Sequence, residues 1–182
     1  MKTFNNISSA WIIVASISSC VIIADQLTKI WVRIALPTYS HKFELIAGHI
    51  DFIHRKNPGI AFSLFATAKW APVVFAAVSF VAVAFIFRLI YKNNKLPNIV
   101  LIALAAIAGG ATGNLIDRII PPHKVIDFID FYVGQWHWPA FNIADSSICI
   151  GAFLLIIASF IYPDPFAPSH SSGDNETKED SP

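Results

Sequence analysis

Asp25, Asp117, Asp127, Asp130 and Asp145 each lie in or beside an apolar stretch, in a chain where charged residues make up only 14%. A charge in such surroundings is costly unless it is paired or performs a task, so each of the five is a candidate for function. Asp127 in VIDFID and Asp145 in FNIADSS stand 18 residues apart around one polar loop. Two carboxylates brought together at low dielectric do not both stay ionised; one keeps a proton while its neighbour is charged. Such a pair can take a proton from water with one member and protonate a carbonyl or leaving amine with the other. That is the acid–base requirement of peptide-bond hydrolysis without a metal. The plainer alternative has Asp145 capping or pairing at a helix end and Asp127 solvated in its loop.

A second polar group follows in Gly109-Gly110-Ala111-Thr112-Gly113-Asn114-Leu115-Ile116-Asp117-Arg118. Gly109 and Gly113 form a small-xxx-small face that lets another helix approach closely. Asn114, Asp117 and Arg118 fall at i, i+3 and i+4, so one helical face presents an amide, an acid and a guanidinium. That face either snorkels at an interface or positions a substrate backbone and the acids. Asp25 and Lys29 form an i, i+4 pair with the acid toward the N-terminus, the order favoured for a helical ion pair, and read as structural. Asn57-Pro58-Gly59-Ile60-Ala61-Phe62 reads as a turn followed by interfacial anchors. Phe131, Tyr132, Trp136 and Trp138 read as an aromatic belt at a bilayer surface.

The elements that must position these residues are set by composition. Hydrophobic residues make up 55%, with 15 Phe, 5 Trp and a mean hydropathy of +0.58, the signature of an integral membrane protein. Segments of about 20 apolar residues can cross the hydrocarbon core. Four approach that length, at about 10–36, 70–87, 96–118 and 141–162. Unsatisfied backbone is not tolerated in lipid, so helices are predicted for all of them. Placed this way, Asp145 falls about one turn into the fourth helix and Asp127 at the end of the loop leaving the third. Residues 37–69 contain Phe43–Ile46 and His49–His54, β-branched and aromatic runs with partial alternation, and predict a small sheet on the membrane surface. From Pro163 onward Pro, Ser, Asp and Glu replace apolar residues, which predicts a disordered tail whose removal from Ser169 on matters little.

Four spans put both termini on one side, with 37–69 and 121–140 on the other. The short segment Arg88–Lys95 carries Arg88, Lys92 and Lys95 without an acid and is read as a cytoplasmic loop, although Lys42, Arg55, Lys56 and Lys69 on the opposite side pull against this assignment. The net charge of +1 is not gathered into a basic stripe, which argues against nucleic acid as a partner. The scattered histidines offer no ligand spacing, so no metal or other cofactor is expected. Cys20 and Cys149 lie in apolar runs and read as small core residues. Ile17-Ser18-Ser19-Cys20 loosely resembles a lipidation site, but the apolar pattern continues past it to Leu36 and only Lys2 flanks the segment.

Taken together, DQLTK at 25–29, NPGIAF at 57–62, GNLIDR at 113–118, VIDFIDF at 125–131 and FNIADSSI at 141–148 resemble, in order, the motif set of the lipoprotein signal peptidases, or signal peptidase II. The resemblance covers residues 10 to 160. It implies an aspartic endopeptidase of the bacterial cytoplasmic (inner) membrane, with both termini in the cytoplasm and the active site near the extracytoplasmic face. Such an enzyme removes the signal peptide from lipid-modified prolipoproteins, cutting before the diacylglyceryl-cysteine. The resemblance makes Asp127 and Asp145 the catalytic dyad. It assigns Asn57, Asn114, Arg118 and Asn142 to substrate binding or dyad positioning, and Asp25, Lys29, Gly59, Phe62 and Asp117 to support of the site. Membrane lipids are expected partners, and inhibition by the cyclic peptide globomycin is expected too. A substrate anchored in lipid has its scissile bond near the membrane surface, where a dyad one turn deep reaches it; residues 37–69, with Phe62, would cover it.

The fold expected is therefore an all-α membrane protein, a four-transmembrane-helix bundle with a small extracytoplasmic β subdomain between helices 1 and 2. Residues 1–162 form a single membrane-embedded peptidase domain and 163–182 the tail. The rival reading is a small polytopic proton- or ion-coupled transporter with Asp25, Lys29, Asp117 and Arg118 as a relay. A further rival is a noncatalytic subunit whose polar residues only fix helix register.

Overall fold

The computed structural model describes residues 7–38, 41–58, 70–93 and 96–162. Along the chain run α1 (Ile7–Ala35), β1 (Lys42–Ile46), β2 (Ile50–Asn57), α2 (Ala71–Lys92), α3 (Asn98–Ile119), β3 (Val125–Val133), β4 (Trp136–His137) and α4 (Ile143–Ile161). Each of the four helices is long and apolar enough to cross a membrane. The mainly helical bundle with a small antiparallel sheet matches the expected architecture.

α3 is the hub and packs against α1, α2 and α4. In its membrane-crossing window 67% of residues are buried inside the protein, against 11–17% for the other three helices, whose apolar faces therefore look outward toward lipid. Lipid tails are as apolar as leucine, so helices associate here through close van der Waals fit and interhelical hydrogen bonds. The small residues of α3 supply the fit. A Cβ on Gly110 would stand 2.3 Å from the Ala144 carbonyl oxygen of α4, and one on Gly113 2.7 Å from Asp25 Oδ2 of α1. Ser18 Oγ donates to the Ala105 carbonyl oxygen at 2.8 Å, tying α1 to α3. Val14, Ile86, Ile90, Val100, Leu101 and Leu104 form the core at the end of the bundle away from the sheet.

The four strands form one antiparallel order β1-β2-β3-β4. The sheet is thus built from both connections, and not from residues 37–69 alone: VIDFIDF, read from sequence as loop, is its central strand. Val32 and Leu36 of α1 pack under it against Ile126 and Phe128. Phe128 meets Phe52 edge-on at 5.7 Å, and Phe52 meets Trp31 at 5.8 Å. These contacts seat the sheet on the end of α1.

Several local expectations are corrected. Asn57, read as part of a turn, is the last residue of β2. α2 runs on through Arg88 to Lys92, so both cations lie within the helix, and Lys92 rides its last turn, where the helix dipole favours positive charge. Cys20 and Cys149 are exposed on helix surfaces and do not sit in the core. In a membrane bundle an apolar run marks lipid-facing and buried faces alike. Gly59, Phe62 and the tail lie outside the described residues.

Candidate active site

β3 delivers Asp127. Its partner in β2 is Arg55, and Asn57 stands opposite Val125, two residues from the carboxylate and on the same face. Asn57 Nδ2 reaches across to donate to Asp127 Oδ2 at 2.9 Å. Asp127 is 3% exposed. Burial pushes its carboxyl up to about 6, and the nearby Asp145 charge adds to the rise, against the hydrogen bonds from Asn57 and Asn142 that restrain it.

α4 delivers Asp145. The chain returns from β4 and is stitched to β3 at Phe141, whose carbonyl oxygen accepts from the N–H groups of Phe128 and Ile129 and whose N–H donates to Ile129. The helix begins one residue after Asn142, its N-cap. The Asn142 side-chain oxygen accepts from the Asp145 N–H at 2.9 Å, while Asp145 Oδ2 accepts from the Asn142 N–H at 3.2 Å, a reciprocal capping box. Asp145 thus lies in the first turn of α4. The capping role named as the plainer alternative for Asp145 is real, but it leaves Oδ1 for another partner, Asn114 Nδ2 at 2.7 Å. The solvated-loop alternative for Asp127 is not what the structure shows.

Asn142 joins the two acids. Fully buried, it spends its oxygen on Asp145 and its Nδ2 on Asp127 Oδ1 at 2.9 Å, with longer contacts of 3.3 Å to Asn114 Oδ1 and the Ile126 carbonyl. A single amide therefore fixes the carboxylates of a strand and a helix relative to each other. Both line a cavity of about 630 Å³, together with Asn57, Asn114 and Arg118. Its walls continue along Phe75, Val78 and Ala82 of α2, Ile107 and Ala111 of α3, and Ile148 and Cys149 of α4. The span from Arg118 to Ile107 carries this trough about 16 Å along α3. The site is thus an apolar trough among helices with polar groups at one end. Arg118 donates to the Asn114 carbonyl oxygen at 3.0 Å and stands over the Phe75 ring at 5.8 Å.

Behind the site lies a buried ion cluster. Lys29 Nζ is 2.7 Å from both Asp25 Oδ2 and Asp117 Oδ2, so the expected Asp25–Lys29 pair is present and Asp117 joins it. Asp25 Oδ1 also accepts from the Ala144 N–H at the start of α4. Arg33 binds the other oxygen of Asp117 at 3.0 Å and was missed from sequence. Its position four residues after Lys29, itself four after Asp25, was the signal that would have found it. Gln26, likewise missed, donates to the Gly113 carbonyl oxygen at 3.1 Å. Asp130, three residues after Asp127 and so on the other face of β3, pairs with His137 at 3.0 Å away from the cavity. Trp138 lines the trough, a closer involvement than an aromatic belt implies. Among the described residues, no group of His, Cys, Asp and Glu is arranged to hold a metal.

Fold and site together define a polytopic membrane protein with a paired-carboxylate pocket at one end of its bundle. The sequence model of the Signal peptidase (SPase) II family matches residues 17–161. Similar proteins include the lipoprotein signal peptidases of Paraburkholderia phymatum, 46% identical over 80% of this chain and 84% of that one, and of Nitratidesulfovibrio vulgaris, 39% identical over 84% and 92%. The lipoprotein signal peptidase of Coxiella burnetii is 38% identical over 80% and 88%. A solved structure described as a bacterial membrane enzyme superposes with a TM-score of 0.74 at 26% identity, covering 87% of this chain and 93% of its own. A second, of the same description, gives 0.70 at 28% identity, covering 80% and 90%. The chain belongs to the signal peptidase II family, and is a multi-pass bacterial membrane peptidase.

Proposed function

We propose that this chain is an aspartic endopeptidase that removes the signal peptide from lipid-modified prolipoproteins, cutting before the diacylglyceryl-cysteine, with Asp127 and Asp145 as its catalytic dyad. The observation that carries the reading is the Asn142 bridge, which holds both acids at the polar end of an apolar trough. One carboxylate takes a proton from water as the water oxygen attacks the scissile carbonyl carbon, and the other carboxyl gives its proton to the carbonyl oxygen. In the collapse of the resulting diol, the first acid returns its proton to the leaving nitrogen and the second recovers one from a hydroxyl. Asn57, Asn114 and Asn142 orient the dyad, and Arg118 at the trough wall receives the substrate backbone. Asp25, Lys29 and Asp117 support the site through the buried cluster, and a supporting role is assigned to Gly59 and Phe62 on the strength of the family motif alone.

The trough, within the roughly 300–1,000 Å³ of ordinary ligand pockets, suits a segment of signal peptide arriving through lipid. The strands and the dyad lie at the end of the bundle away from Arg88 and Lys92 in the last turns of α2, and a cytoplasmic position for those cations supports an extracytoplasmic site with both termini cytoplasmic. Inhibition by globomycin belongs to the same reading. Nothing about Asp25, Lys29, Asp117 or Arg118 favours the transporter relay: the first three close on one another, and the relatives named above are peptidases. Incubating the purified protein in detergent with a lipidated precursor and with its unlipidated counterpart tests the proposal. A shortened product from the lipidated precursor alone is expected; no product from either, or equal cleavage of both, would overturn it.

A further inference from the structure

Lys29 is fully buried, and an ammonium has three N–H donors. Three oxygens surround it: Asp25 Oδ2 and Asp117 Oδ2, each at an ion-pair distance of 2.7 Å, and Asn114 Oδ1, which accepts a hydrogen bond at 3.1 Å. The third contact fixes the Asn114 amide. With its oxygen held by a cation, its NH₂ faces Asp145 Oδ1 at 2.7 Å. A flipped amide would set NH₂ against the ammonium and a carbonyl against the carboxylate, unfavourable at both ends. Arg33 completes the arrangement from the surface, its side chain 38% exposed and bound to the free oxygen of Asp117. Arg33, Asp117, Lys29 and Asp25 alternate in sign and cancel, so Lys29 serves Asn114 within a neutral cluster.

The two acids of the dyad are placed differently. Asp145 accepts from Asn114 and from the Asn142 backbone N–H in the first turn of α4, where the helix dipole favours negative charge. Asp127 sits on a strand with side-chain amides as its donors, and its burial lifts it to about 6. Among the described residues, the charged groups around Asp145 are Lys29 of α1 through Asn114, Asp25 of α1 on the neighbouring Ala144 N–H, Asp117 and Arg118 of α3, and Asp127 of β3. α2 brings only uncharged side chains to the cavity.

We propose that Lys29 is a positioning residue for the reaction: by holding Asn114 Oδ1 it commits the Asn114 amide nitrogen to Asp145, which makes Asp145 the carboxylate that takes the proton from water and leaves the shared proton on Asp127. The assignment rests on the dyad reading above. Asp145 removes a proton from water, the water oxygen bonds to the carbonyl carbon, and the Asp127 proton moves to the carbonyl oxygen. Asp145 then protonates the departing nitrogen as the C–N bond breaks, and Asp127 regains its proton from a diol hydroxyl.

The test is the pH dependence of cleavage of a lipidated precursor by Asp25→Asn/Lys29→Met, a pair that removes one cation and one anion, keeps an acceptor for the Ala144 N–H and leaves Asp117 with Arg33. The expected result in the folded variant is a kcat lowered about tenfold or more, as for weakened general-base catalysis, with KM little changed and the acid limb of the profile displaced to higher pH. A folded variant whose acid limb stays in place, whatever its kcat, would overturn the proposal. Should the double variant not fold, Arg33→Gln decides: it leaves Lys29 as the sole cation on Asp117 and draws it from Asn114. A smaller displacement of the acid limb in the same direction is expected there, and an unmoved limb contradicts the assignment. Asp127→Asn and Asp145→Asn run alongside; normal turnover by either would sink the dyad itself, a failure distinct from that of the Lys29 role.

Discussion

Asn142 makes, with one side chain, the two contacts that hold the dyad together. Asn142→Ala removes the N-cap of α4 and both links at once. The expected cost is about 1 kcal/mol of stability and a kcat lowered roughly a hundredfold, since small misplacements at a reacting centre cost that much; thermal melts and cleavage rates in detergent check the two separately. Asp127 gives a pH signature. Its folded carboxyl titrates at about 6, above the ordinary 3.8, so between these values the folded protein binds more protons than the unfolded chain. Stability on this account falls as pH rises through about 6. Melts of the wild type and Asp127→Asn between pH 4 and pH 7 (roughly the window that brackets the shift) check this, the wild type losing more stability than the variant across it. Asp127, Asp145 and Asp117 were legible in the sequence because ionisable groups in apolar stretches need a reason. Asn142 drew attention only through the resemblance, since an amide carries no such penalty and its bridging role depends on a meeting of strand and helix that spacing does not encode. Arg33 hid among ordinary interfacial cations.

At the scale of elements, the site exists because α4 can approach α3 closely. Gly110 is the point of approach, where any Cβ would strike the Ala144 carbonyl, and Ala144 directly precedes Asp145. Gly110→Ala is expected to push the start of α4 away, costing about 2 kcal/mol or more as overpacking does and lowering cleavage with it; an unfolding midpoint and activity equal to wild type would contradict this packing. The helices were readable from length and hydropathy alone. β3 was not. Its first four residues, Val125–Phe128, are all buried, so the strand lacks the alternation of a half-exposed one and reads as a short apolar run around an acid. The hairpin of β1 and β2 kept partial alternation and was found. Helix ends were blurred at α2, where Arg88 and Lys92 suggested a loop but finish a helix.

Over the whole molecule, the sheet and the dyad lie at the end of the bundle opposite the α2–α3 connection. The proposed orientation places that connection in the cytoplasm, beside the basic residues Arg88 and Lys92. Reporter fusions after Lys92 are expected to report the cytoplasm and fusions after Asn57 the extracytoplasmic side; the reverse pattern would invert the orientation. The cysteines show what sequence does not carry at this scale. Hydropathy says that Cys20 and Cys149 avoid water, but which apolar face meets lipid and which meets protein is decided by the assembled bundle.

In the proposed mechanism the two aspartates act as one unit. The direct measurement is single-turnover cleavage of a lipidated precursor by Asp127→Asn and Asp145→Asn, with binding of the precursor measured in parallel. Both variants are predicted to bind it as the wild type does and to cleave it at least ~100-fold more slowly, the low end of what positioned acid–base groups contribute. Cleavage at the wild-type rate by either variant would contradict the shared-proton mechanism.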